Sequence, residues 1–521
     1  MQVFGTTLPP PKRKKSLAQK LIPVLTMMNH PDLTRIGDRV FLPGLLKGER
    51  VALGRAEPMF TAPDKVLGKP LDDPYISREP VYLEGEQDGV VHLDLGRGKI
   101  AVTADIPAAG GAGRFSAEQV DHGVVLTLAE RVILLLHRSP LPQTTPPATH
   151  GLIGHSEALL GLRREIDRVA DLHVPVLLLG ASGTGKELAA RAIHQASRPD
   201  KPFVSVNLGA IPANLAASEL FGAVRGSFTG ADRHQQGYFR AAQGGTLFLD
   251  EVGEASPEVQ VMLLRALETG EISPVGAQTT TSINVRFIAA TDANLAEKMA
   301  QDSFKTPLFH RLAGYIIQVP SLAQRREDLP RLFCHFARLE MARLGEGERL
   351  ETGDSEENPW LPAELMASLL NYGWPGNVRQ LRNVVRQILI GCRGLPALQL
   401  SPELAQLIDN EQAQIPTHGP VPLDTARPKR KPAQIGAEEL ARALRTNGWD
   451  IKAAATQLGI SRAALYLLIE KTPGLRKASD IPAAEIHQGL ARHHNDVDKL
   501  SEELGVSARA LRRRISQLPL S

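Results

Sequence analysis

The chain has 521 residues, 42% of them apolar and 22% charged, with a net charge of +3. That length exceeds one ordinary hydrophobic core and predicts three or four domains, while the apolar content excludes a chain that is disordered throughout. The two cysteines, Cys334 and Cys392, fit neither a disulfide framework nor a cysteine zinc site, and no apolar run approaches the roughly 20 residues of a membrane helix, so a cytoplasmic protein with no membrane partner is expected. Two proline-rich stretches divide the sequence. Pro140, Pro142, Pro146 and Pro147 lie among Thr and Gln and read as a linker at 140–150. A second polar stretch, 412–434, carries Arg427, Lys429, Arg430 and Lys431 without helical or strand periodicity, and reads as a basic linker before the tail.

Residues 20–140 are rich in short alternating segments, which predicts an all-β sandwich. Within it, Val51-Ala-Leu-Gly54-Arg55 and Asp73-Pro-Tyr-Ile-Ser77-Arg78 resemble the forkhead-associated domain, which binds phosphothreonine. The resemblance implies a sensory domain in which Arg55, Ser77 and Arg78 form the phosphopeptide site, Arg55 as a charge-assisted donor and Ser77 as a hydroxyl donor. Its partner would be a threonine-phosphorylated protein or a Ser/Thr kinase. Pro80 stands where that family has histidine, and no Asn-Gly element is present. The other reading is a sandwich that has lost phosphopeptide binding and only holds an assembly. No Asp-rich receiver pattern appears, so control by aspartyl phosphorylation is not expected.

From 151 onward, the apolar runs Val176–Leu179, Phe203–Val206, Thr246–Leu249 and Val285–Ala289 alternate with helical patterns, as in a parallel α/β sheet. The first run leads into Gly180, Ala181, Ser182, Gly183, Thr184, Gly185, Lys186 and Glu187, followed by a helical run from Leu188 to Ala196. This is a phosphate-binding P-loop in the right setting: glycines admit phosphate oxygens to backbone N–H groups, the helix N-terminus favours negative charge, and Lys186 can reach the terminal phosphates of ATP. Glu187 stands where a hydroxyl residue usually helps to hold Mg²⁺, so Thr184 or Asp250 must compensate. Further on, Gly244-Gly-Thr-Leu-Phe-Leu-Asp250-Glu251 ends a strand in two acids, Asp250 for the metal shell and Glu251 to orient or deprotonate the attacking water.

Taken with Glu219-Leu-Phe-Gly222, Gly226-Ser-Phe-Thr-Gly-Ala231 and Trp374-Pro-Gly-Asn-Val-Arg379, these motifs make residues 151–400 resemble the AAA+ domain of sigma-54-dependent activators. The resemblance implies an α/β nucleotide-binding part at 151–322 and a helical lid at 323–411. It implies that Asn207 restrains Glu251, that Arg379 reads nucleotide from the lid, and that Arg311 reaches the neighbouring subunit's site in a hexameric ring. It also implies that Gly226, Ser227, Phe228, Thr229, Gly230 and Ala231 form the loop that grips sigma-54. Glycines at both ends suit a mobile tip carrying an apolar face and a hydroxyl. Four positions depart from the family pattern: Ser227, Ala223-Val224, Asp292 at the sensor position and Lys305 in the finger region. An unpaired Asp near the terminal phosphate adds unfavourable charge, and Lys lacks the bidentate contact of Arg, so slow hydrolysis is expected.

In the tail, residues 438–471 and 484–517 align at an offset of 46, matching Leu444 with Leu490, Leu458 with Leu504, Gly459 with Gly505, Ser461 with Ser507 and Leu465 with Leu511. Each copy reads as a helix-turn-helix with a serine cap before its recognition helix, at 435–478 and 479–521. The first copy resembles the Fis-type module that ends many sigma-54 activators, and the second is an addition. Arg462 and Tyr466 in the first copy, and Arg509, Arg512 and Arg513 in the second, can reach phosphates and base edges of double-stranded DNA. A helix bundle for packing or dimerisation is the other reading of the second copy.

The expectation is thus a multidomain chain: an N-terminal β-sandwich, a central α/β P-loop ATPase with a helical lid, and an all-α tandem helix-turn-helix. The implied function is transcription activation: binding upstream DNA and spending ATP, with Mg²⁺, to convert the closed complex of sigma-54 RNA polymerase holoenzyme into an open one. The rival is a DNA-binding regulator for which ATP is only a structural or oligomerisation switch.

Overall fold

The computed structural model describes residues 21–63, 65–95, 102–104, 113–141, 147–225, 236–347 and 359–412, and in the C-terminal part 440–442, 444, 449, 465, 472, 481–493, 500–501, 504 and 511. Among the described residues no helix is long and apolar enough to cross a membrane, and both cysteines are free and buried.

Residues 21–140 form β1 (Leu21–Asn29), β2 (Arg39–Phe41), β3 (Arg50–Leu53), β4 (Val81–Gly85), β5 (Val91–Asp94), β6 (Val102–Ala104), β7 (Arg114–Phe115), α1 (Ala117–His122), β8 (Val124–Leu128) and β9 (Val132–Pro140). They make two antiparallel sheets, ordered β2-β1-β9-β8-β6 and β3-β4-β5-β7. Alternate residues of both sheets share one core, with Leu25, Met27, Leu53, Leu83, Phe115 and Leu134 inside it. The opposite face of the first sheet is also buried. Met28, Val125, Ile133 and Leu135 point away from that core and join another, shared with helices more than 200 residues along the chain.

The central part runs α2 (Glu157–Ala170), β10 (Val176–Leu179), α3 (Lys186–Ser197), β11 (Phe203–Asn207), α4 (Ala213–Phe221), α5 (Tyr238–Ala241), β12 (Thr246–Asp250), α6 (Pro257–Thr269), a short hairpin of β13 (Glu271–Ile272) and β14 (Thr281–Ser282), β15 (Arg286–Thr291), α7 (Leu295–Ala300), α8 (Thr306–Leu312) and β16 (Tyr315–Gln318). Its sheet is parallel and ordered β11-β12-β15-β10-β16. Strands covered by helices on both faces read as near-continuous apolar runs. Leu247 and Leu249 accordingly face one core while Phe248 faces the other.

The lid follows as α9 (Leu329–Leu344), α10 (Ala363–Asn371), α11 (Asn377–Gly391) and α12 (Pro402–Gln412). Leu332, Phe333, Leu369 and Leu381 pack together, and Met28, Ile133 and Leu135 of the N-terminal sheet complete that core. The expected sandwich is therefore not a separate bead: its first sheet lies between the second sheet and the lid. Polar contacts fix the register of this joint. Asn29 Nδ2 donates to the Leu361 carbonyl at 3.3 Å, and Arg326 donates to the carbonyls of Gly123 at 3.1 Å and Leu370 at 2.7 Å.

Residues 416–521 form a second compact unit. Helix α13 (Ala483–Arg492) presses Gly489 closely against Leu500. Leu465 and Leu511, an aligned pair of the two repeats, are both fully buried.

Candidate active site

Parallel strands deliver their C-terminal ends to one edge, so the turns after neighbouring strands converge there. In this sheet β12, β15 and β10 are adjacent, and they bring Asp250, Asp292 and the P-loop to that edge. Residues 180–185 make the turn and α3 begins at Lys186, with Gly185 as its left-handed cap. Gly183 has φ +75°, and a Cβ there would collide with the carbonyl oxygen of Gly376. The lid backbone rests on this glycine: the N–H groups of Val378 and Arg379 donate to the Gly183 carbonyl at 3.0 and 3.3 Å.

Lys186 is buried, and its Nζ donates to the carbonyls of Gly180 at 2.8 Å and Ala181 at 3.3 Å. Burial lowers its pKa, and the nearby carboxylates of Asp292, Asp250 and Glu251 oppose that shift. Asp250 is pushed the other way. Burial raises its pKa, against the N–H of Glu251, which donates to its Oδ1 at 3.0 Å, and against the Lys186 charge. Glu251 itself takes a left-handed backbone, φ 53° and ψ 41°, rare for a non-glycine residue and a feature that clusters at functional sites. Asn207 pairs in register with Asp250. Its side-chain oxygen accepts from the N–H groups of Gly209 at 2.8 Å and Ala210 at 3.2 Å, so it caps a turn beside the Glu251 carboxylate and makes no bond to it.

A cavity of about 430 Å³ opens between these groups and the lid. Ser182, Gly183, Gly185, Lys186, Glu187, Asp250, Glu251, Asp292 and Arg379 all line it. Glu187 pairs with Arg191 at 2.9 Å, and Arg379 Nη1 lies 3.4 Å from the Ser182 hydroxyl, which it donates to. The carboxylates thus sit on the core wall around Lys186, and the lid wall adds the positive charge of Arg379. Sequence reasoning missed much of the second wall: Arg382, Asn383 and Arg386 also line the cleft. They follow Arg379 by three, four and seven residues, the spacing of one helix face, and that periodicity was a usable signal. Asn377, also missed, ties three segments together: its Oδ1 accepts from Leu322 N at 2.9 Å and its Nδ2 donates to Ser182 O at 2.9 Å. Arg325, buried, donates to Thr184 O at 3.3 Å. Buried Asp328 accepts from the N–H groups of His155 and Ser156, at 2.6 and 2.9 Å.

Other expected residues lie elsewhere. Thr184 is buried, and its hydroxyl donates to the Ala181 carbonyl at 2.8 Å, so of the two expected metal holders only Asp250 reaches the cleft. Ala181 is part of the P-loop turn but does not line the cavity. Arg311 stands outside the cleft on α8, its side chain 58% exposed and paired with Glu268 at 3.2 Å. Lys305 caps the start of α8. In the N-terminal domain, Arg55 N–H donates to the Ser77 carbonyl at 3.3 Å, which brings those two together, and Arg78 is exposed beside them. Asp73 pins this turn through Arg131 at 3.1 Å. The expected loop from Gly226 to Ala231, with Ser227, Phe228, Thr229 and Gly230, lies outside the described residues. So do Arg462, Tyr466, Arg509, Arg512 and Arg513, and the basic linker from 413.

Comparison with known proteins fits this geometry. Residues 152–318 match the sigma-54 interaction domain, 323–415 the AAA+ ATPase lid domain, and 431–471 the Fis family of bacterial regulatory proteins. The nitric oxide reductase transcription regulator NorR1 of Cupriavidus necator is 36% identical over 425 residues, covering 78% of this chain and 80% of that protein. The transcriptional regulatory protein ZraR of Escherichia coli is 38% identical over 341 residues, 65% of this chain and 73% of that one. Among solved structures, NtrX of Brucella abortus in complex with ATP is 33% identical, with a TM-score of 0.44 over 62% of this chain and 69% of that one.

Proposed function

The chain belongs to the sigma-54-dependent transcription activators, ATPases with a DNA-binding Fis-type helix-turn-helix, and on that premise we propose that it assembles into a ring, hexameric as in its family, and spends ATP to open promoters held by sigma-54 RNA polymerase. The observation that carries this reading is the convergence of Lys186, Asp250, Glu251 and Arg379 on one 430 Å³ cleft between core and lid.

In this reading the P-loop N–H groups and Lys186 bind the phosphates, with Lys186 leaving the Gly180 and Ala181 carbonyls to do so. Glu251 orients the attacking water and accepts its proton. Asn207 and Asp292 flank the terminal phosphate, and the electrostatic attraction between Asp292 and the nearby Lys186 charge offsets part of the repulsion an isolated Asp would add. Asp250, a carboxylate at the cleft wall, would hold Mg²⁺ together with phosphate oxygens, whose charge the ion would neutralise. Arg311, exposed and outside its own cleft, serves the neighbouring subunit's site. Gly226 to Ala231 forms the sigma-54 loop. The first helix-turn-helix places Arg462 and Tyr466 on upstream DNA, and the second adds Arg509, Arg512 and Arg513.

The front domain is a phosphothreonine reader in this account, supported by the adjacency of Arg55 and Ser77. Pulldown with a threonine-phosphorylated peptide should succeed with wild type and fail with Arg55→Ala; equal capture by both removes that part. The central test is ATP-dependent promoter opening by the purified protein with sigma-54 RNA polymerase. Wild type should open the promoter, and Thr229→Ala should hydrolyse ATP without opening it. A wild type that binds DNA and ATP yet never opens the promoter leaves ATP as a structural switch.

A further inference from the structure

A second cavity, of about 470 Å³, lies where the N-terminal domain meets α2, and it shares no lining residue with the P-loop cleft. Phe41, Met59 and Leu160 give it an apolar wall, and Arg39, Lys65 and Arg164 give it positive charge. Glu157, also at the wall, is taken up by Arg164. Arg39 and Lys65 are not satisfied in that way. The Arg39 side chain is only 12% exposed, its nearest carboxylate is Glu327 at 3.9 Å, too long for a hydrogen bond, and its buried Nε has no hydrogen-bond partner. Lys65, at the rim, makes no ion pair among the described residues. A volume of this size falls in the range of about 300–1,000 Å³ seen for small-molecule sites, which pair apolar walls with a few placed polar groups.

We infer that this cavity binds a small organic anion with an apolar body, its charged head between Arg39 and Lys65 and its tail against Phe41, Met59 and Leu160. The position matters because Glu327 belongs to the 323–328 segment between the sheet and the lid. Its neighbours Arg325 and Arg326 donate to the P-loop carbonyl of Thr184 and to the N-terminal carbonyl of Gly123. An anion that draws Arg39 away from Glu327 therefore acts on the segment that touches both the sensory domain and the nucleotide loop. This site is separate from the Arg55–Ser77 turn and does not depend on phosphopeptide binding.

The test uses the full chain and isothermal titration with three probes: octanoate, which has head and tail, octanol, which lacks the charge, and acetate, which lacks the tail. Wild type should bind octanoate saturably with one site, and octanol and acetate at least tenfold more weakly. Arg39→Gln removes the head contact, and Ala62→Trp fills the cavity from its wall; each should weaken octanoate at least tenfold. Unfolding midpoints check that the variants fold, and if Arg39→Gln does not, Ala62→Trp decides alone. The inference is overturned by absence of saturable octanoate binding, by unchanged octanoate affinity in Ala62→Trp, or by octanol or acetate binding as tightly as octanoate.

Discussion

The lid makes two joints of opposite character. Toward the P-loop it is polar: backbone N–H groups of Val378 and Arg379 and the amide of Asn377 bond to Gly183 and Ser182 beside an open cleft. Toward the N-terminal sheet it is mainly apolar, with Met28, Ile133 and Leu135 buried among Leu369 and its neighbours alongside the Asn29–Leu361 and Arg326–Gly123 bonds. Polar bonds exchange with water or ligand at small net cost, about 0.5–1.5 kcal/mol each. An apolar joint cannot open without exposing its area, at about 25 cal/mol per Å². The difference teaches that nucleotide can move the lid on the P-loop side, whereas lid and N-terminal sheet travel as one body.

The largest expected effect tests the polar side. Glu251→Gln should lower ATP turnover about 10³-fold, roughly 4 kcal/mol of barrier, while equilibrium nucleotide binding stays near wild type. Phosphate release and a binding titration read the two separately. Loss of binding together with turnover would show that Glu251 maintains the cleft and does not act on water. The apolar side is tested next with Ile133→Ala, a truncation in the N-terminal sheet that should cost about 3 kcal/mol. The readout belongs in the other partner. In a Trp449→Phe background, fluorescence reports Trp360 and Trp374, both buried in the lid core, and their unfolding midpoint should fall with the mutation. Separate transitions for sheet and lid would break the one-body reading.

The two joints also differ in how far the sequence disclosed them. The strands β10 and β12, the P-loop and the acid pair were legible because each is local: an apolar run, a glycine turn and a charge at a strand end. The apolar run Val132–Leu136 has no polar break, and that unbroken apolarity signals a strand buried on both faces. What covers the second face was not legible, because Leu369 and Met366 lie in helices that themselves read as ordinary amphipathic segments. Arg382 and Arg386 share a helical face with Arg379, yet only the packing of α11 says that this face lines the cleft. Asn377 and Asp328 carry their roles through backbone groups of distant segments, and no side-chain pattern encodes a backbone partner.

Acid should sharpen the one-body reading further. His137, on β9, is buried, and burial, helped by the Arg39 charge, pushes its pKa down to about 3. The imidazole bonds the Thr26 hydroxyl at 2.8 Å. Because the folded value lies below that of the unfolded chain, its contribution to stability is complete above about pH 6.5 and is lost as pH falls toward 3. Between pH 6.5 and 5 the loss is about 2 kcal/mol. The lid tryptophans should follow it, and His137→Gln should flatten the slope.

The smallest effect lies where the two joints' logic is most exposed. Arg379 contributes to the polar joint twice, by its backbone N–H to Gly183 and by a side chain that reaches across the cleft toward Ser182. Arg379→Gln keeps the first and removes the charge, so the lid should still close over the P-loop while nucleotide loses one charge-assisted contact. Affinity for ATP should fall about tenfold, or about 1.4 kcal/mol, with little change in unfolding midpoint. The loss should shrink as salt rises, because the side chain lines an open cleft. Unchanged affinity at low salt would mean that the guanidinium does not reach the phosphates, and that the lid senses nucleotide through the Gly183 carbonyl and Asn377 alone.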